Sequence, residues 1–180
     1  LRLNIDANAP LLGIVSRLTY QKGLDMLLPN LQKLIDNGCQ LALLGGGEQG
    51  LETAFKAIAD KNPERVSVTI GYYEPLSLQI MAGADMFVMP SRFEPCGLNQ
   101  LYGLAYGTPP IVNATGGLAD SVVDSNEAHL ANNTANGFVM VEASTEGLIA
   151  SITRAVETFR HDEKTWRQIQ QNGMSQAVGW

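Results

Sequence analysis

Short, strongly apolar segments alternate with segments of helical periodicity along almost the whole chain. Residues 11–16 (LLGIVS) form one of these apolar runs, and in residues 23–36 the leucines and isoleucines recur near the spacing of an amphipathic helix. Short buried strands that alternate with helices are typical of a parallel sheet with helices on both faces. The sequence therefore predicts an α/β fold with a Rossmann-like, doubly wound parallel sheet.

The same patterns locate the individual elements. The predicted strands are residues 11–16, 40–44, 66–70, 85–89, 110–113 and 137–141. The predicted helices are residues 23–36, 48–60, 75–84, 98–106, 145–160 and 163–174, with a loop of short helical turns expected over residues 117–135. In folds of this class ligands bind beyond the carboxyl ends of the strands, so the loops that follow the strands are expected to carry the functional site.

The length and composition suit one domain, because 180 residues with 45% hydrophobic residues can bury a sizeable core. No apolar run approaches the roughly 20 residues that span a bilayer, so no membrane partner is expected. The net charge of −6, without any lysine- or arginine-rich run, disfavours nucleic acid, whose phosphates need a basic surface. Residues 1–9 resemble a linker and the first residue is Leu1, so we expect a fragment of a longer protein.

The two cysteines, Cys39 and Cys96, are too few for a disulfide framework or a four-ligand zinc site. A secretory signal has a basic segment followed by an apolar segment, and the sequence shows no such pattern. Neither histidine, His129 or His161, has the spacing of a metal ligand set. These observations favour reduced thiols, a cytoplasmic location and no metal site.

The segment PSRFEPCGLN, residues 90–99, follows a predicted strand and begins a predicted helix. Backbone N–H groups at a helix N-terminus attract anions, so the amides of Gly97, Leu98 and Asn99 are candidate ligands for a phosphate oxygen. Glu94 lies in the same loop, where its carboxylate can accept hydrogen bonds from ligand hydroxyls. The alternative is an ordinary helix start with a solvated glutamate.

A second loop after a strand, SRLTYQKG, carries Arg17 and Lys22. Arginine binds phosphate as a fork and lysine as a point charge, so the pair suits a diphosphate. The alternative is a pair of ordinary surface cations. Because both loops are predicted to emerge at the same edge of the sheet, each supports the functional interpretation of the other.

Weaker candidates lie in three other turns of the chain. Gly46 belongs to a triglycine turn that lacks the lysine of a Walker motif. One of the two adjacent tyrosines, Tyr72 or Tyr73, is suited to stacking on a nucleotide base, and the alternative is that one of them packs under the loop. Gly116 and Gly117 either allow the conformation of their turn or contact a ligand. Cys96 has no histidine near it in the sequence and no Gly-x-Ser-x-Gly elbow occurs, so a covalent nucleophile is not indicated.

Together these stretches resemble the bacterial glycogen synthase and plant starch synthase family, specifically its C-terminal, donor-nucleotide-binding lobe. The matching segments are SRLTYQKGLD, LLGGGE, PSRFEPCGLNQLYGLAYGTPP and TGGLAD, in the order and spacing of the family. The likeness extends over essentially the whole chain, to a terminal Trp180 that is similar to the family's ending.

The resemblance implies that residues 1–180 form a single Rossmann-like domain, one lobe of a GT-B glycosyltransferase. It implies transfer of glucose from ADP-glucose, or from UDP-glucose in some members, to the 4-OH end of an α-1,4-glucan with retention of configuration. The family's N-terminal lobe carries most acceptor contacts and is missing from this chain. We therefore expect the isolated chain to bind the nucleotide sugar weakly and not to elongate glucan.

The resemblance also assigns roles to individual residues. Arg17 and Lys22 are implied to bind the donor diphosphate and to stabilise its leaving charge, and Glu94 to bind glucose hydroxyls. No metal or other cofactor is required if these cations and the helix end supply the positive charge. The implied donor contacts are base stacking by Tyr72, the backbone of Cys96 and Gly97 beside the glucose, and the amides of Leu98 and Asn99 on the distal phosphate.

Three positions depart from the family pattern or distinguish its branches. Asn99 stands where threonine is common, which is harmless if the contact is made by the backbone amide, and Ala105 stands where a basic residue is common. Tyr102 stands where many related retaining transferases carry a second glutamate, which favours the glycogen and starch synthase branch. The alternatives are a related GT-B transferase with another acceptor and a non-catalytic nucleotide- or glucan-binding module.

Overall fold

Within residues 3–4 and 6–176, which the computed structural model describes, six parallel strands form one sheet in the order β3-β2-β1-β4-β5-β6. The strands are β1 (Leu11–Val15), β2 (Gln40–Gly45), β3 (Val66–Ile70), β4 (Met86–Met89), β5 (Pro110–Asn113) and β6 (Phe138–Met140). The order changes direction between β1 and β4, so the loops after these two neighbouring strands diverge at that point. Trp180 lies outside the described residues.

Helices connect the strands and follow the last of them. They are α1 (Leu28–Asp36), α2 (Gln49–Lys61), α3 (Glu74–Gly83), α4 (Asn99–Tyr106), α5 (Gly116–Ser121), α6 (Glu127–Ala131), α7 (Thr145–His161) and α8 (Glu163–Met174). No helix in the described part of the chain combines the length and the apolar character that a membrane span needs.

The sheet is buried on both faces because successive side chains of a strand point to opposite sides. On β1, Leu12 and Ile14 belong to the largest apolar cluster, whereas Val15 belongs to a second cluster. Helix α7 adds Ile152 to the first cluster and α3 adds Ile80 to the second. The predicted α/β sheet with helices on both faces is therefore confirmed.

The predicted helix over residues 23–36 is wrong at its start, because the α-helix begins only at Leu28. The structure has two short 3-10 turns, Tyr20–Lys22 and Leu24–Met26, and only then the α-helix Leu28–Asp36. Gly23 has φ +72°, a left-handed conformation that interrupts a helix. Pro29 has no N–H group and its ring clashes with a preceding helical turn, so it fits only at the start of a helix.

Elsewhere the predicted elements agree with the structure within one residue at either end. The expected short helical turns of residues 117–135 are α5 and α6. The expected linker, residues 1–9, is described only at 3–4 and 6–9, where the backbone N–H of Asn4 donates to the carbonyl of Glu64 at 2.9 Å.

Candidate functional site

A cleft of about 360 Å³, here called the main cleft, opens at the carboxyl edge of the sheet. The ends of β1 and β4 form its floor, at the point where the strand order changes direction. Its lining residues are Val15, Ser16, Arg17, Lys22, Met89, Ser91, Glu94, Gly97, Leu98 and Asn99. The two loops singled out in the sequence therefore meet at the place where folds of this class bind ligands.

A second cleft of about 390 Å³, here called the side cleft, adjoins the main cleft. The two clefts share Arg17 and Asn99 in their walls. The side cleft extends toward the ends of β2 and β3, where Gly46 and the exposed ring of Tyr72 line it. The arrangement leaves room for an elongated ligand that passes Arg17 on its way from one cleft to the other.

Inside the main cleft, the ammonium of Lys22 contacts Oε2 of Glu94 directly. The hydroxyl of Ser91 donates to the same carboxylate oxygen at 3.2 Å. Both members of the ion pair are largely buried, with 17% of the Lys22 side chain and 11% of the Glu94 side chain exposed. The cleft therefore holds a cation and an anion side by side, each with hydrogen-bonding capacity left for a ligand.

The N-terminus of α4 forms another wall of the main cleft. Among the described residues, the backbone amides of Leu98 and Asn99 have no hydrogen-bond acceptor. The side chain of Asn99 is already engaged, since its Nδ2 donates to the carbonyl of Val15 at 3.0 Å. A contact of Asn99 with a ligand phosphate is thus left to its backbone amide, which also benefits from the positive end of the helix dipole.

Gly116 and Gly117 line neither cleft and instead support the loop that carries Glu94. A Cβ atom on Gly116 would lie 2.0 Å from the carbonyl oxygen of Glu94, and one on Gly117 would lie 1.9 Å from that of Cys96. The backbone N–H of Gly117 donates to the Glu94 carbonyl at 3.2 Å. Close backbone packing therefore accounts for glycine at both positions, and the donor contact expected of them stays a prediction.

Cys96 is exposed and does not line either cleft, although Gly97 next to it lines the main one. Gly97 has φ +67°, so the turn into α4 requires glycine there. Among the described residues, no group of three or more His, Cys, Asp or Glu side chains is placed to hold a metal ion.

Sequence reasoning missed Arg92, which joins the two loops of the main cleft. Its guanidinium forms a bidentate ion pair with Asp25, at 2.7 and 2.8 Å, and also donates to the carbonyl of Tyr20 at 2.7 Å. This hydrogen-bonded arginine lowers the pKa of the Asp25 carboxyl below its ordinary value. The available signal was an arginine in one predicted site loop and an aspartate near the start of the helix predicted to follow the other.

Comparisons with known proteins identify the family to which the chain belongs. The model of the family described as glycosyl transferases group 1 matches residues 2–175. The chain is 53% identical to a glycogen synthase of Marinobacter nauticus and 51% identical to one of Edwardsiella ictaluri, over 96% and 99% of its length. A solved structure, the catalytic domain of starch synthase IV from Arabidopsis thaliana bound to ADP and acarbose, superimposes with a TM-score of 0.88 and 34% identity over 97% of the chain.

The chain covers only 35% and 37% of the two glycogen synthases and 36% of the starch synthase chain, about a third of each. The similarity nevertheless extends over almost all of the present sequence, which confirms its resemblance to glycogen and starch synthases and the lobe-like fold that this resemblance implied. On the family match and these relatives, the chain belongs to the group 1 glycosyl transferases.

Proposed function

We propose that this chain is the donor-binding lobe of a glycogen synthase, which transfers glucose from ADP-glucose to the 4-OH end of an α-1,4-glucan with retention. The observation that carries the proposal is the convergence of Arg17, Lys22, Glu94 and the open amides of α4 on one cleft. The relatives named glycogen synthase support the reaction, and the starch synthase bound to ADP and acarbose supports both the nucleotide and the glucan.

In the proposed complex the nucleotide lies in the side cleft and the sugar in the main cleft. Tyr72 and Gly46 would contact the base end, because they line the part of the side cleft that lies beyond Arg17. Arg17, at the junction, would bind the diphosphate together with Lys22 and the amides of Leu98 and Asn99. The forked guanidinium and the helix amides both suit phosphate oxygens.

Glucosyl transfer develops negative charge on the departing diphosphate and positive charge on the sugar ring. Groups that are already oriented toward these charges lower the barrier most, because they need no reorganisation during the reaction. Lys22 contacts Glu94 directly, so one cation is held between the proposed phosphate and sugar positions. Glu94 would bind the glucose hydroxyls from there, beside the backbone of Cys96 and Gly97.

We also propose that the reaction uses no metal or other cofactor, since Arg17, Lys22 and the helix end supply the positive charge that a metal would supply. The wall that binds the glucan acceptor is assigned to the rest of a longer protein. About two thirds of the length of each related glycogen synthase has no counterpart in this chain. We therefore propose that the isolated chain does not elongate glucan, and that the whole protein works in the cytoplasm.

Calorimetric titration with ADP-glucose, UDP-glucose and ADP tests the donor site and identifies the base in one experiment. Glucose incorporation into glycogen by the full-length protein tests the reaction. Intact turnover of the full-length protein after Lys22→Ala would favour a non-catalytic nucleotide- or glucan-binding module, and a large loss of turnover would reject it. Incorporation into another acceptor would favour a related transferase, and robust elongation by residues 1–180 alone would contradict the assignment of the acceptor wall to another lobe.

A further inference from the structure

We infer that Arg92 is a positioning residue for glucosyl transfer, which acts by holding the loop that carries Lys22 against the loop that carries Glu94. This role rests on the proposed function. Arg92 itself does not line the main or the side cleft, so it acts through the residues that it fixes.

The contacts of Arg92 lie on both sides of Lys22 along the chain. The guanidinium binds the carbonyl of Tyr20, two residues before Lys22, and the carboxylate of Asp25, three residues after it. The guanidinium carbon also lies 3.8 Å from the centroid of the Tyr20 ring, a cation–π contact. One side chain therefore fixes the short segment that contains Lys22 at both of its ends.

The backbone of Arg92 sets the register between the two loops. Its N–H donates to the carbonyl of Gln21 at 2.9 Å, and the side chain of Gln21 donates to the carbonyl of Phe93 at 3.1 Å. Lys22 follows Gln21 and Glu94 follows Phe93, so these hydrogen bonds tie the two loops together next to both functional residues. Without the guanidinium, the alignment of the loops would depend on these weaker neutral hydrogen bonds, on the Lys22–Glu94 contact and on the close packing of Gly23 against the Pro90 carbonyl.

Loss of this alignment is expected to affect Lys22 most. Its ammonium sits on a flexible four-carbon stem, so its position depends on where the backbone places it. The ion pair with Asp25 is partly buried, with 23% of the Arg92 side chain and 36% of the Asp25 side chain exposed, and the bidentate geometry is well defined. A misplacement of about 1 Å in a catalytic group can reduce the rate about a hundredfold.

The chain contains a matched control in a second arginine that has the same kinds of partners and lines neither cleft. Arg154 binds Asp124 in a bidentate manner at 2.8 and 3.3 Å and donates to the carbonyl of Val139 at 3.1 Å. Its guanidinium carbon lies 5.7 Å from the ring centroid of Phe138. The two arginines thus share a carboxylate, a backbone carbonyl and an aromatic ring as partners, but Arg154 lines neither cleft.

The test compares Arg92→Ala, Arg92→Lys and Asp25→Asn with Arg154→Ala in the full-length protein. We expect Arg92→Ala to lower kcat for glucose transfer by about tenfold to a hundredfold. Arg92→Lys should recover part of the rate, because lysine restores a charge but not the fork. The kcat of Asp25→Asn should lie between those of the wild type and Arg92→Ala. Arg154→Ala should leave kcat near the wild-type value while lowering the melting temperature.

Equal effects of Arg92→Ala and Arg154→Ala on kcat would overturn the inference, as would rates that simply follow the melting temperatures of all four variants. If Arg92→Ala does not fold, Arg92→Lys and Asp25→Asn decide the question by the same comparison. A wild-type protein that transfers no glucose would instead contradict the proposed function, and the positioning role with it.

Discussion

Lys22 and Glu94 are 72 residues apart in the sequence, yet the ammonium of one touches the carboxylate of the other inside the main cleft. The contact joins the loop after β1 to the loop after β4. Because these strands are neighbours in the sheet, the pair marks the point at which the two halves of the fold meet. A ligand that binds here meets a cation already oriented by an anion.

Replacing Lys22 with alanine should abolish most of the activity of the full-length protein. The change removes a donor proposed to stabilise the leaving diphosphate, which is expected to reduce kcat by a factor of about 10²–10³. It also leaves the buried carboxylate of Glu94 without its charged partner. Initial rates of glucose incorporation check this, with Lys33→Ala, an exposed lysine on α1, as the control. Full turnover by Lys22→Ala would contradict the catalytic role.

The fold and the place of the site were predictable because both follow from local patterns. Alternating apolar and helical segments define parallel strands, and the carboxyl ends of such strands carry the ligand loops. Arg17, Lys22 and Glu94 were therefore placed together correctly. The direct contact of Lys22 with Glu94 was not predictable, because it depends on β1 pairing with β4, and local alternation does not determine strand order.

Other features were missed because they depend on conformation or on contacts distant in the sequence. The left-handed Gly23 and the position of Pro29 prevent one continuous helix over residues 23–36, although the leucine spacing continues through that segment. The ion pair of Arg92 with Asp25 spans 67 residues, and no short motif encodes it.

Replacing Tyr72 with alanine should weaken binding of ADP-glucose and ADP. Tyr72 is 77% exposed and lines the side cleft, so loss of its ring should disturb the fold little and remove a stacking surface for the base. Stacking of a base on an aromatic ring contributes about 1–3 kcal/mol, which predicts a loss of affinity of roughly fivefold to 150-fold.

Titration calorimetry of the full-length protein measures this change. Tyr73→Ala is the matched control, because Tyr73 is the next residue, is 61% exposed and lines neither cleft. Tyr72→Phe should retain most of the affinity. An affinity equally reduced in Tyr72→Ala and Tyr73→Ala would argue against stacking by Tyr72.

Replacing Gly117 with alanine should distort the loop that carries Glu94. The new Cβ would lie 1.9 Å from the carbonyl oxygen of Cys96, so the backbone of one loop must move. Such overpacking costs roughly 1–3 kcal/mol and should lower both the melting temperature and the rate of glucose transfer. Thermal unfolding and initial rates measure the two effects. Gly50→Ala, in α2 with nothing within 4 Å of the new Cβ, should leave the rate unchanged and should not lower the melting temperature, since alanine favours a helix more than glycine does.

Asp85 provides a test of stability that is independent of the clefts. It precedes β4 at the opposite edge of the sheet, where its Oδ2 accepts a hydrogen bond from the backbone N–H of Leu11 at 2.8 Å. Burial raises the pKa of the Asp85 carboxyl above its ordinary value, although the Leu11 hydrogen bond opposes this. The folded protein therefore holds the proton more tightly than the unfolded chain does.

Stability should fall as the pH rises from the unfolded pKa of about 3.9 through the higher folded pKa, because the folded state binds more protons over that interval. Asp85→Asn removes this pH-dependent loss of stability, and its amide oxygen can still accept the hydrogen bond from the Leu11 N–H. We expect the variant to melt at a higher temperature than the wild type at pH 7, with the difference shrinking toward pH 4 and turnover unchanged. Melting curves at both pH values check this against Asp120→Asn, an exposed carboxylate on α5. A difference that stays constant with pH, or that grows toward pH 4, would contradict the raised pKa of Asp85.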